Sequence, residues 1–173
     1  TDNDSLEMLM SARAAAASEA RMDGCPLPVV TNSGSGNQGI TTSVPIIVYC
    51  REKHLDEETL YRALVFSNLC TIHEKTGIGR LSAFCGAVCA ATSVGVTLTY
   101  LKGGTLEQIG NTIRNTFANI SGIVCDGAKT TCALKIHTSL QSAFLASKLA
   151  LRGKTYDANT GILKETCEST IDA

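Results

Sequence analysis

The chain has 173 residues, a size that suits one domain with a core of its own and no need of cross-links. Fifteen Lys and Arg residues against sixteen Asp and Glu leave a net charge of -1, so the basic field that nucleic acid or an anionic membrane surface requires is excluded. Aromatic residues make up only 5%, with no Trp, beside 15 glycines, which favours closely packed helices over an aromatic-rich β-sandwich.

Nothing at the start resembles a charged-then-apolar secretion signal, so the eight cysteines are expected as thiols in a reducing cytoplasm rather than as disulfides. The opening Thr1 and the unpunctuated stretch from Ile162 to Ala173 lead us to expect a single helical domain over 1–173, cut from a longer protein.

In chain order, Asp4 with Glu7 three residues on predicts a capped helix over about 5–22, with Leu6, Leu9 and Met10 facing inward. Residues 25–39 read as a loop. Between Ile40 and Cys50 the β-branched content supports a strand, while Pro45 weakens strand and helix alike, so pattern does not choose. Asp56 before Glu57 and Glu58 predicts a helix start, with a stop near Gly77 and an apolar face of Leu60, Leu64, Val65 and Leu69. From Leu81 to Leu101 no charge occurs, long enough to span a bilayer, but Ser82, Thr92, Ser93, Thr97, Thr99 and two cysteines fit a buried helix in a globular core better. Thr105 with Gln108 predicts a capping box and a helix over about 106–120. After a loop over 122–130, Thr130 or Thr131 caps a last long helix closed by Gly153. The expected class is all-α.

Gly34-Ser35-Gly36-Asn37-Gln38-Gly39 satisfies the dinucleotide-binding spacing, and Asp56 lies where a ribose-binding acid would be sought. However, the apolar run Leu27 to Val30 is short and broken by proline, and no alternating βαβ pattern follows. The same stretch reads as a backbone cradle for a small carboxylate, since Thr31, Asn32, Ser33, Ser35 and Asn37 bring short hydrogen-bonding groups and Gly34 and Gly36 let N–H groups approach an anion. An ordinary polar loop before a helix is the plain alternative.

Cys85, Cys125 and Cys132 lie 40 and then 7 residues apart, among glycines and small residues. Three thiolates can hold a metal centre and leave one coordination position for a substrate, whereas four more often close it. Three buried core cysteines are the competing reading. Structural zinc would want paired C-x-x-C units, which the chain lacks. Cys89, one turn from Cys85, is a fourth-ligand candidate but reads better as core, and Cys50, Cys70 and Cys167 read as packing or surface residues.

Three blocks, Cys25-Pro-Leu-Pro-Val-Val-Thr-Asn-Ser-Gly-Ser-Gly-Asn-Gln-Gly39, Gly77-Ile-Gly-Arg-Leu-Ser-Ala-Phe-Cys-Gly86 and Ser121-Gly-Ile-Val-Cys-Asp-Gly-Ala-Lys129, closely resemble the L-cysteine desulfidase family, which is related to the α-chain domain of iron-sulfur L-serine dehydratases. The resemblance covers about residues 16–151. It implies an all-helical domain with a [4Fe-4S] cluster on Cys85, Cys125 and Cys132, one iron left open and readily lost in air. It further implies β-elimination of L-cysteine or L-serine, a substrate carboxylate held by Thr31, Asn32, Ser33, Gly34, Ser35, Gly36 and Asn37, and room for a homodimer. Arg80 reads equally as a carboxylate fork or a surface residue, His73 as a complement to a helix dipole, and His137 as packing or surface. The sequence departs from the family in one respect: the Cys-Thr-Glu-Pro motif that carries the family's proposed proton acceptor is absent, and Cys25 reads as a packing cysteine rather than its replacement. The chain alone is therefore expected to be inactive. A non-catalytic metal-binding domain and a dinucleotide-binding module are the alternatives.

Overall fold

A computed structural model describes residues 3–80 and 82–173; Thr1 and Leu81, the first residue of the uncharged run, lie outside the described residues. The described chain is all-α: α1 (Asn3–Met22), α2 (Gly36–Glu52), α3 (Glu57–Ile78), α4 (Ala87–Leu101), α5 (Leu106–Asn119), α6 (Cys132–Leu151) and the short α7 (Cys167–Ile171). The β-pairing among the described residues is confined to two isolated bridges, Asn32 with Ser35 and Phe84 with Val124. The described residues form no parallel sheet to carry a dinucleotide, and that expectation is set aside.

The uncharged run forms α4, the axis of the bundle, which touches α2, α3, α5 and α6. Its hydroxyls are satisfied within the helix: Thr92 donates to the Val88 carbonyl at 2.8 Å, Ser93 to Cys89 at 3.0 Å, Thr97 to Ser93 at 2.8 Å and Thr99 to Gly95 at 3.0 Å. Such back-bonding makes a polar helix acceptable to an apolar core. No helix among the described residues is long and apolar enough to cross a membrane. Gly95 sets the α4–α6 approach, since a Cβ there would stand 2.7 Å from the Ala143 carbonyl oxygen.

The main core joins Leu6 and Met10 of α1, Ile46 of α2, Val94 and Leu98 of α4, and Leu140 and Phe144 of α6. A smaller cluster of Val88, Val96, Ile113 and Phe117 closes the α5 side, with Ile171 of α7 against it. The capping box at Thr105 and Gln108 forms as the sequence predicts.

Two local expectations are corrected, and two open ones are settled. Asp4 sits inside the first turn of α1 rather than capping it, and together with Glu7 it pairs with Lys148 of α6, both at 2.7 Å. Residues 40–50 are helical despite Pro45, because α2 is buried along most of its length between α1, α3 and α4. On α3 the inward positions include Ala63, Ser67 and Thr71, with Leu60 and Leu64 partly buried, whereas Val65 and Leu69 are exposed at 59% and 58%. Small polar residues face inward there because α3 meets α2 through hydroxyls: Thr42 lies 2.7 Å from Ser67 and 3.0 Å from Thr71. At the start of α6 it is Thr131 that occupies the cap position, but its side chain makes no capping bond.

Candidate functional site

Two loops at one end of the bundle are yoked by backbone. The Cys85 N–H donates to the Ile123 carbonyl at 2.7 Å, and the Cys125 N–H donates to the Ala83 carbonyl at 2.8 Å, on either side of the Phe84–Val124 bridge. Two residues 40 apart in sequence are thereby fixed in neighbouring register. Lys135 of α6 pairs with Asp126 and donates to the Val124 carbonyl at 3.4 Å, tying this yoke to the helix that begins at Cys132. The Cys132 sulfur lies 3.5 Å from the Lys129 N–H nitrogen and 3.7 Å from the Gly127 carbonyl.

Cys85, Cys125 and Cys132 all line one cavity of about 190 Å³. Burial pushes the Cys85 thiol up, the Ala87 N–H pulls it down, the neighbouring Cys125 and Cys132 raise it, and Lys135 lowers it. The Cys125 and Cys132 sulfurs are therefore both within electrostatic reach of Cys85. Among the described residues no group of three ligating side chains is drawn together as a single ion would require; sulfurs sharing one tetrahedral ion at 2.3 Å would stand about 3.8 Å apart. On the other side of Cys85 a separate cavity of about 340 Å³ is lined by Glu74, Val88 and Cys89. Burial raises the Glu74 carboxyl well above the ordinary carboxylate range, with only a 3.3 Å hydrogen bond from Ser93 opposing it.

The glycine-rich loop reaches the cysteine cavity through Gly34, Ser35 and Asn37, while Thr31, Asn32, Ser33 and Gly36 do not line it. Several of its polar groups are already engaged. Asn32 is buried and donates from Nδ2 to the Asn68 carbonyl at 3.1 Å and to Asn68 Oδ1 at 2.9 Å, while its own Oδ1 accepts from Ser33 at 2.8 Å. Ser35 caps α2 by accepting from the Gln38 N–H, and Asn37 Oδ1 accepts from Arg21 at 3.0 Å. Left-handed backbone at Ser33 and Gly34, with φ of 48° and 83°, turns the chain into α2. Gly39 permits the tightest approach, because a Cβ there would fall 1.8 Å from the Val30 carbonyl oxygen.

The other candidates separate by position. Cys89 and Cys50 are buried and their thiols are pushed up by burial, Cys89 to about 12, so both behave as core. Cys70 and Cys167 pack against the smaller cluster. Cys25 is exposed, correcting its reading as a packing residue. His73 is bonded to Glu168 Oε2 at 2.8 Å rather than standing as a bare dipole complement. His137 is half-buried on α6. Arg80 is exposed and lines the cysteine cavity.

Sequence reasoning missed Gln38, Lys75 and Lys135. Gln38 and Lys75 line the cysteine cavity with 6% and 4% exposure. The signal for Lys75 was its place in the inward stripe of α3, after Ala63, Ser67 and Thr71, where a charged residue has no ordinary reason to be.

Comparison with known proteins places this geometry in a lineage. Residues 3–173 match the family model of the serine dehydratase alpha chain. A UPF0597 protein of Treponema denticola is 52% identical over 170 residues, covering 98% of this chain and 39% of its own length. A UPF0597 protein of Lachnoclostridium phytofermentans is 51% identical over 169 residues, with 98% and 40% covered, and one of Clostridium perfringens is 48% identical over 172, with 99% and 40%. The chain spans about two fifths of the length of these curated relatives. No solved structure matches it.

Proposed function

Because the chain belongs to the serine dehydratase alpha-chain family, we propose that it is the cluster- and substrate-binding portion of a longer iron-sulfur lyase that removes the β-substituent of L-serine or L-cysteine. The single observation that carries this reading is the sharing of one cavity by Cys85, Cys125, Cys132 and the glycine-rich loop. Three thiols with a lysine charge beside them and no fourth cysteine or histidine in the lining are a donor set that fits a [4Fe-4S] cluster with one open iron. When bound, such a cluster supplies a Lewis acid for the departing hydroxide or thiolate.

The chain's own residues orient the rest. The Cys85–Cys125 yoke fixes two thiols by backbone, and the start of α6 presents the third. Gly34, Ser35 and Asn37 line the same cavity, which supports a substrate position beside both thiols and loop. Loss of the α-proton to a base outside this chain and of the β-substituent leaves an enamine. Water converts it to pyruvate and ammonia, with sulfide as the further product from cysteine.

The test is anaerobic reconstitution of the complete protein with iron and sulfide, followed by pyruvate release from L-serine and L-cysteine. Replacing Cys85, Cys125 or Cys132 by Ala is expected to abolish both visible absorption and pyruvate release, while Cys25→Ala retains both. Iron retention without pyruvate from either amino acid would instead make this a metal-binding domain without lyase activity.

A further inference from the structure

Two polar side chains line the cysteine cavity without a side-chain hydrogen bond or ion pair among the described residues. No hydrogen bond or ion pair holds the Lys75 Nζ, although the residue is 4% exposed. Gln38 is 6% exposed, and its Oε1 is buried without a hydrogen-bond partner. Gly86 makes the space for it, since a Cβ there would come within 2.2 Å of the Gln38 Cδ. A buried amide oxygen left unpaired is unfavourable, and such a group at a cavity wall marks a place where a ligand completes the structure.

The neighbours do not serve as partners. Glu74, next to Lys75 in sequence, lines the other cavity and takes its hydrogen bond from Ser93. Ser35 is committed to capping α2, and Asn37 Oδ1 to Arg21, so the loop's side chains are less free than Lys75 and Gln38 to hold a small molecule.

We propose that Lys75 and Gln38 read the two ends of an α-amino acid zwitterion, the Lys75 ammonium receiving the α-carboxylate and Gln38 Oε1 accepting from the α-ammonium. This rests on the lyase reading and adds the residues that restrict it to α-amino acids. A 2-hydroxy acid offers Gln38 only a hydroxyl, and an amino alcohol offers Lys75 no anion, so each loses one charge-assisted hydrogen bond.

The experiment uses the complete, anaerobically reconstituted protein and three unreactive probes: L-alanine with both ends, L-alaninol without the carboxylate and L-lactate without the ammonium. For the unaltered protein, L-alanine is expected to compete at least tenfold better than either of the others. Lys75→Met should raise KM for the amino acid at least tenfold with a smaller change in kcat, and should erase the preference of L-alanine over L-alaninol. Gln38→Leu should erase the preference over L-lactate. Visible absorption should be unchanged in both, and Lys75→Arg, which keeps the charge, should keep the preference over L-alaninol. An unchanged KM and preference in Lys75→Met overturns the proposal. So does loss of absorption with the preference intact, which would assign Lys75 to the thiolates, or loss of the preference in Arg80→Gln instead. If the unaltered protein releases no pyruvate, the lyase reading fails separately. Calorimetric binding of L-alanine over both analogues, lost in the variants, still supports the pair, and equal binding of all three overturns it.

Discussion

The middle of the bundle and its cysteine end both bury polar side chains, and they do so on different terms. In the middle, Thr99 of α4 lies 2.8 Å from both Thr112 of α5 and Ser147 of α6, and Thr42 of α2 is bonded to Ser67 and Thr71 of α3. These hydroxyls are answered by the chain itself, although Ser18 Oγ of α1 is buried without a partner. At the cysteine end, Gln38 Oε1 and one oxygen of Glu74 are buried without a partner, and Lys75 lines the cavity with no hydrogen bond or ion pair among the described residues. Satisfied groups hold helices together, whereas unsatisfied ones cost stability.

The sharpest way to break the middle is Thr99→Val, which keeps the volume but strands the Ser147 hydroxyl. It should cost about 2 kcal/mol in urea unfolding, with Thr99→Ser recovering most of it. At the cysteine end the sign should reverse. Lys75→Met removes a charge that has no hydrogen bond or ion pair among the described residues from a side chain that is 4% exposed, and is expected to raise stability in the same measurement. A loss comparable to that of Thr99→Val would mean that Lys75 is structural.

The third test concerns Glu74 and is the smallest near pH 5. Because burial holds its carboxyl well above the ordinary value of 4.5, the folded protein keeps a proton that the unfolded chain releases. The stability it contributes is full below 4.5 and is lost as pH rises toward the folded value. Glu74→Gln stays neutral throughout, so its advantage in Tm over the unaltered protein should widen from about pH 5 to about pH 8. A constant difference would show that the carboxyl titrates normally.

Much of the fold was legible because it is encoded locally. The glycine and threonine punctuation around Leu101 and Thr105, the helix start at Asp56 and the close at Gly153 all depend on neighbours within a turn. Pro45 left residues 40–50 undecided because a buried helix can give up one backbone bond when tertiary contacts hold it, which no short window reveals. Val65 and Leu69 misled because α3 turns hydroxyls, not its larger apolar residues, toward α2. For the candidate site, the three cysteines could be singled out by their spacing and small neighbours, and by the resemblance of their blocks. The yoke between them depends on a bridge across 40 residues, and the importance of Gln38 and Lys75 lies in partners they lack, which is a property of three dimensions only.

The bridge at Phe84 and Val124 has one more consequence. It couples the Cys85 and Cys125 sulfurs through two main-chain hydrogen bonds, while the Cys132 sulfur rides on a separate rigid helix linked to them chiefly by Lys135 and Asp126. Any small rotation of that helix changes the distance to the third sulfur and leaves the separation of the first two alone. The trio is thus a fixed pair with an adjustable jaw, and the jaw, not the pair, is where the grip on a bound centre would loosen first.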